Sequence, residues 1–108
     1  MEIRDLKDGL KISELPAIIT QVDPIKVFKK QNGTEGRYQT FTVEDDTGKI
    51  EVAFFNEQID RYSTKLEPGK KIRFKYCIAK QFHERLQIRT GKIEQYDKIY
   101  FDEEKTDG

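Results

Sequence analysis

The chain has 108 residues, room for a single domain. Hydrophobic residues make up 35% and charged residues 37%, against about 45–50% (a count that includes Gly) and about 25% in an average domain. The core is therefore small, and a small barrel or sandwich suits it better than a layered α/β fold. No apolar run approaches the ~18–20 residues of a membrane-spanning helix, and the charged opening Met1–Leu6 lacks the apolar stretch of a secretory signal. The single cysteine, Cys77, excludes a disulfide framework and a zinc site built on several thiolates, so a reducing, intracellular home is expected.

The net charge is zero, but the charges are segregated. Residues 70–92 hold eight bases and one acid, and residues 26–37 hold four bases and one acid. Residues 44–67 hold seven acids and three bases, and residues 102–108 four acids and one base. Such a pattern can place a basic groove on a neutral protein. Lysines that merely solvate the outer face of strands would give the same counts.

In chain order, IRDLKDGLKI has apolar residues at 3, 6, 10 and 12 and reads as a lead-in packed on a barrel, not as a helix of its own. Leu15 to Lys30 is rich in Ile and Val and reads as one long strand, bent at Pro24, which lacks a ladder donor. Asn32-Gly33 marks a turn. Arg37 to Glu44 alternates, with Phe41 and Val43 on one face and Tyr38, Thr40 and Thr42 on the other. Asp45-Asp46-Thr47-Gly48 makes a tight hairpin turn, after which Ile50, Val52 and Phe54 point inward and Glu51, Ala53 and Phe55 outward. Asn56 is the expected N-cap of a short helix carrying Ile59, Tyr62 and Leu66, which Pro68-Gly69 stops. Lys71 to Lys80 is a fourth strand with Ile72, Phe74, Tyr76 and Ile78 on one face. Gln81 to Glu84 is its loop, and Arg85 to Thr90 a fifth strand with Leu86 and Ile88 inward. The stretch to Phe101 either extends that strand or adds a short helix. The order β-β-β-α-β-β predicts an all-β, five-stranded Greek-key barrel of the oligonucleotide/oligosaccharide-binding (OB) type, with a short helix between strands 3 and 4. Residues 1–101 form this domain, and residues 102–108 an acidic tail expected to be disordered.

Enzymatic chemistry finds few candidates. The one histidine, His83, falls in a loop and reads as a solvated residue, so no His-rich metal cage can be built. Asp45-Asp46 reads as turn chemistry rather than as an acid/base or metal pair. No phosphate-binding loop, nucleophile elbow or zinc-protease motif is present. Neither a cofactor nor a metal is expected, and the chain is not expected to be an enzyme. What remains is aromatics interleaved with bases. Phe55 is outward at the end of strand 3, and Phe82 lies in a polar loop among Lys80, His83 and Arg85. Single-stranded nucleic acid would give such rings a partner, since every base has a stackable face and nearby cations can take the phosphates. The structural alternative folds Phe82 over a barrel mouth and packs Phe55 on the short helix.

The lead-in IRDLKDGLK, the stretch FTVEDDTGKIEVAFFN and the stretch LEPGKKIRFKYCIAKQFHERLQIRTG resemble the simple single-stranded-DNA-binding proteins of archaea, the related human sensor of single-stranded DNA, and the barrels of replication protein A. The likeness runs from about Ile3 to Ile93. It implies a binding module in which an aromatic at the end of strand 3, here Phe55, and one in the loop between strands 4 and 5, here Phe82, stack on bases. A third aromatic late in strand 4 is replaced by Ile78, and the long Gly-rich acidic extension of some relatives is not matched.

The reading that follows is a module binding single-stranded DNA with little sequence preference, in replication or repair. Phe55 and Phe82 stack on bases, and Tyr38 offers a third platform. Lys29, Lys30 and Arg37 around the 1–2 loop, and Lys80, Arg85 and Arg89 around the 4–5 loop, contact phosphates. The setting would be cytoplasmic and nucleoid-associated, with no membrane and with protein partners in a replication or repair complex. Two other readings fit the same residues: an RNA-binding barrel of a processing complex, and a protein-interaction barrel of a complex like replication protein A.

Overall fold

The computed structural model describes residues 1–89 and 98–101. After a short 3-10 turn at Ile3–Asp5, the chain forms β1 (Leu15–Val22), β2 (Lys26–Lys29), β3 (Glu35–Asp45) and β4 (Gly48–Phe55). The helix α1 (Glu57–Tyr62) runs into a 3-10 turn at Ser63–Lys65, and β5 (Lys71–Lys75), β6 (Ile78–Phe82), β7 (Arg85–Arg89) and β8 (Lys98–Phe101) follow. The sheet runs β6-β7-β4-β3-β1-β5-β8, with β2 paired to β3. All pairs are antiparallel except β4 with β7. Because β5 and β6 are consecutive stretches of one strand, the path leaves that strand and returns to it, which makes a barrel. This is the expected OB-fold, with the helix between its third and fourth strands.

Among the described residues eight strands stand where five are predicted, for identifiable reasons. The first strand breaks at residues 23–25, around Pro24, into β1 and β2. The bend is held from inside: the Asp23 amide donates to the Thr40 carbonyl, and the Gln39 side-chain amide donates to the Asp23 carbonyl. A bulge between Ile19 and Gln21 adds curvature. The fourth strand breaks at Tyr76–Cys77, where Tyr76 adopts a φ of +62°. The Tyr76 amide donates to the Ile12 carbonyl, and the Ile12 amide to the Cys77 carbonyl, so the lead-in pins the kink.

The kink corrects the predicted parity. Tyr76 is 46% exposed instead of inward, and Cys77 takes its place in the core. Ile78 sits opposite Arg89, outside the barrel, and Ala79 is the buried residue of that segment. The end of the chain also differs from expectation. Lys98–Phe101 is neither an extension of the fifth strand nor a helix but a separate strand, paired antiparallel with β5. Residues 90–97 and the acidic tail 102–108 lie outside the described residues.

The core follows the alternation. Phe41, Val43, Ile50, Val52, Phe54, Ile72 and Phe74 are buried, joined by Ile12, Leu15 and Ile19. Phe54 meets Phe41 edge-on at 4.9 Å and Tyr62 of α1 at 5.6 Å, which seats the helix under one end of the barrel. Asn56 occupies the N-cap position, yet its side chain does not cap. With a φ of +47° it turns away, and its Oδ1 accepts from the Arg37 amide instead. The Asp45 carboxylate accepts from the amides of Thr47 and Gly48 and from the Thr47 hydroxyl, closing the β3–β4 turn. Its other oxygen accepts from the Ile3 amide at 2.8 Å, so the turn also anchors the lead-in. Burial pushes the Asp45 carboxyl up, but the hydrogen bonds from Thr47, Ile3 and Gly48 outweigh it and hold the group below the usual carboxylate range. No helix among the described residues is long and apolar enough to cross a membrane.

Candidate nucleic-acid interface

The outward residues of β3 and β4 face each other in register. Tyr38 stands opposite Phe55, Thr40 opposite Ala53, and Thr42 opposite Glu51. Tyr38 and Phe55 are half-buried, with ring centroids 6.5 Å apart. Ala53 is outward as expected but buried, because larger side chains rise on both sides of it. It forms the floor of a trough whose walls come from β2 on one side and β6–β7 on the other.

On the β6–β7 side stands Phe82. The predicted loop at Gln81–Glu84 is shorter than expected: β6 runs through Phe82, and the turn is His83-Glu84 alone, both with positive φ. The strand, not a loop, therefore aims Phe82. Its ring is 46% exposed instead of folded over the barrel, with His83 edge-on at 4.3 Å. Between the two aromatic walls lies Arg89. Its guanidinium carbon is 5.4 Å from the Phe55 ring centroid and 4.7 Å from that of Phe82. Contacts of this kind hold a cation over a ring face. The Gln87 side-chain oxygen accepts from two Arg89 nitrogens at 3.1 and 3.0 Å, and the Gln87 amide donates to Glu51. The trough thus has a cation fixed between two rings by a polar chain along its floor.

Of the predicted site residues, Tyr38, Phe55, Phe82 and Arg89 line this one trough. Lys80 is on the same outer face, opposite Gln87, and is exposed. Arg85, opposite Phe82, lines a neighbouring depression with Arg4, Lys49 and Glu51. The 1–2 loop residues lie elsewhere. Lys29 has the opposite strand parity to the trough-lining Lys26 and Phe28, and Lys30 enters the turn after β2. Arg37 alternates away from Tyr38 and pairs with Asp60 of α1 at 2.9 Å. The hydrogen bond and the charge of Asp60 raise the Arg37 pKa further, and the hydrogen bond from Arg37 lowers that of Asp60.

The trough also holds a cation and a ring that the sequence reading does not assign to the site. Lys26 stands opposite Tyr38 with its Nζ 6.0 Å from that ring, and the Phe28 ring lies 5.9 Å from it. The signal was available: IKVFK alternates, so the lysine and phenylalanine two apart share a face. Among the described residues no group of three or more His, Cys, Asp or Glu side chains could hold a metal.

The profile of the family described as OB-fold nucleic acid binding domain (tRNA anti-codon) matches residues 22–96, most of the chain. No curated protein sequence matches. Among solved structures, the second OB-fold domain of replication protein A from Methanococcus maripaludis is similar at 25% identity, covering 95% of this chain and 96% of that one, with a TM-score of 0.72. The replication factor A related protein from Methanobacterium thermoautotrophicum is similar at 20% identity, with 95% and 90% covered and a TM-score of 0.74. A chain of a replication protein A heterotrimer bound to single-stranded DNA superimposes with a TM-score of 0.75 at 18% identity, covering 93% of this chain and 24% of that one. The chain belongs to the OB-fold nucleic-acid-binding domain family.

Proposed function

We propose that this domain binds single-stranded DNA in the trough between β2–β4 and β6–β7, with little sequence preference, as a binding module and not as an enzyme. The observation that carries the reading is the arrangement of rings and cation: Phe55 and Phe82 flank the Arg89 guanidinium, and Tyr38 continues the surface beside Phe55. Rings offer faces to any base, and Arg89 and Lys26 offer positive charge to phosphates. The 6.5 Å between the Tyr38 and Phe55 rings exceeds the ~3.4 Å rise per nucleotide of a duplex strand, a spacing that suits bases unstacked from each other, as in a flexible single strand. Lys80 and Arg85 would extend the phosphate track. Lys29, Lys30 and Arg37 would meet a strand only where it leaves the trough.

A role in replication agrees with the similarity to the Methanococcus replication protein A domain, and we extend the reading to repair and to protein partners in such a complex inside the cell. RNA is the second reading, favoured by the name of the matched family, tRNA anti-codon. The test is a titration with matched DNA and RNA oligonucleotides, single- and double-stranded, at two salt concentrations. Tighter binding of single-stranded DNA supports the proposal. Preference for RNA supports the second reading, and preference for duplex overturns both.

A further inference from the structure

We propose that Phe28 is a further base-stacking residue of the trough and that Gly36 is the positioning residue that seats it. This inference rests on the binding function proposed above. Phe28 and Gly36 face each other across the β2–β3 pair. A Cβ added to Gly36 would stand 2.9 Å from both Phe28 Cε atoms and closer still to Cζ, distances that real side chains do not tolerate. The ring therefore lies directly over the glycine backbone. Backbone conformation is not the reason for glycine here, because Gly36 is not among the residues with positive φ. Room for the ring is.

Laid across Gly36, the ring stands 5.9 Å from Tyr38, which in turn stands 6.5 Å from Phe55. Three rings from three strands thus form one row along the wall of the trough, with Lys26 on the same face of β2. Among the described residues β2 joins the sheet through β3 alone, and Phe28 is not one of those packed on the barrel core. An aromatic laid over a cross-strand glycine can also serve as a cover that stabilises the pair. A cover needs only apolar bulk, whereas a base needs the π face, and this separates the two roles experimentally.

The experiment follows anisotropy of a labelled oligothymidylate of about 12 nucleotides, within the ~4–16 that one OB-fold covers, alongside melting midpoints of the same proteins. Phe28→Leu keeps the apolar cover and removes the π face. It should weaken binding about 5- to 150-fold, the range of one aromatic–base stack, while Phe28→Tyr stays within about twofold. Gly36→Ala should weaken binding in the native background and change nothing in a Phe28→Ala background, where no ring remains to displace. Phe28→Leu binding like the unaltered protein, with only the melting midpoint lowered in Phe28→Ala, would reduce Phe28 to a cover and overturn the proposal. An equal loss from Gly36→Ala in both backgrounds would overturn the positioning role. An unaltered protein that binds no oligonucleotide at all would overturn the proposed function and this inference together.

Discussion

Phe54 and Phe55 are chain neighbours with opposite assignments, and truncating each in turn tests the register of the whole binding face. Phe54 is 1% exposed and touches Phe41 and Tyr62, so Phe54→Ala opens a cavity at the junction of barrel and helix. Loss of a buried phenylalanine costs about 3–5 kcal/mol, a large part of the ~5–15 kcal/mol that holds a domain together. Phe55 is half-buried, and its ring meets Tyr38 at 6.5 Å and the Arg89 guanidinium at 5.4 Å. Such contacts contribute roughly 0.5–1 kcal/mol each at partly exposed sites. Phe55→Ala should therefore cost about 1–2 kcal/mol of stability, roughly 4–16 °C in melting midpoint at the ~4–8 °C per kcal/mol of a domain this size. Its effect on binding should be larger than that stability change suggests: a lost base stack weakens the complex by ~1–3 kcal/mol, or about 5- to 150-fold. Thermal melting and an oligonucleotide titration on the same samples read both quantities. If Phe54→Ala abolished binding while the protein stayed folded, and Phe55→Ala unfolded it, β4 would be out of register by one residue. The β4 side chains assigned to the trough, Glu51, Ala53 and Phe55, would then belong to the core.

Three further outcomes are expected. The Asp45 pKa lies below its ordinary value in the fold, so its contribution is complete above the unfolded value of ~3.9 and fades as pH falls through the folded one. Asp45→Asn should flatten that acid limb of the stability curve and cost ~1–3 kcal/mol near neutral pH, and an unchanged acid limb in urea melts would refute the anchoring role. Binding should weaken with salt: three to five phosphate contacts at ~0.7 counterions each give a log–log slope of roughly −2 to −4, and a slope near zero would favour a protein-interaction barrel. His83 and Glu84 both hold positive φ in a two-residue hairpin turn, where Asn-Gly is preferred. Replacing them together by Asn-Gly should raise stability by about 1–2 kcal/mol and leave oligonucleotide affinity unchanged, and a loss of stability would show that those side chains hold the turn.

Much of the barrel was legible because its signals are local. Strict alternation through residues 38–55 and the Asp-Asp-Thr-Gly turn place Phe41, Val43, Ile50, Val52 and Phe54 inside, as observed. Parity, however, propagates only as far as the strand stays regular. At Tyr76 a positive φ without a glycine shifts the pattern, and nothing in the local sequence marks it, because the cause lies 64 positions away where Ile12 bonds the kinked backbone. The break at Pro24 carries its own mark, since proline cannot complete the ladder.

For the site, the same distinction separates the aromatics from the cations. Phe55, Tyr38 and Phe82 could be assigned outward from strand parity or from polar neighbours, and all three line the trough. For Lys29, Lys30 and Arg37 the only signal in the sequence is charge near a loop, and charge says nothing about which face a strand presents. The hairpin geometry decides it. Lys30 and Thr34 close the β2–β3 turn, with Gly33 at a φ of +85°, so the loop holds three residues and not the two that Asn-Gly suggests. Three residues set Phe28 against Gly36 and Lys26 against Tyr38. Two would have set Phe28 against Arg37 and turned the other face of β2 toward the trough. Arg37 is further committed by Asp60, 23 positions on, which only the placement of α1 brings within 2.9 Å. The electrostatics of the trough therefore depend on one extra residue in a turn and on where a short helix docks, both set by tertiary packing rather than by the charges themselves.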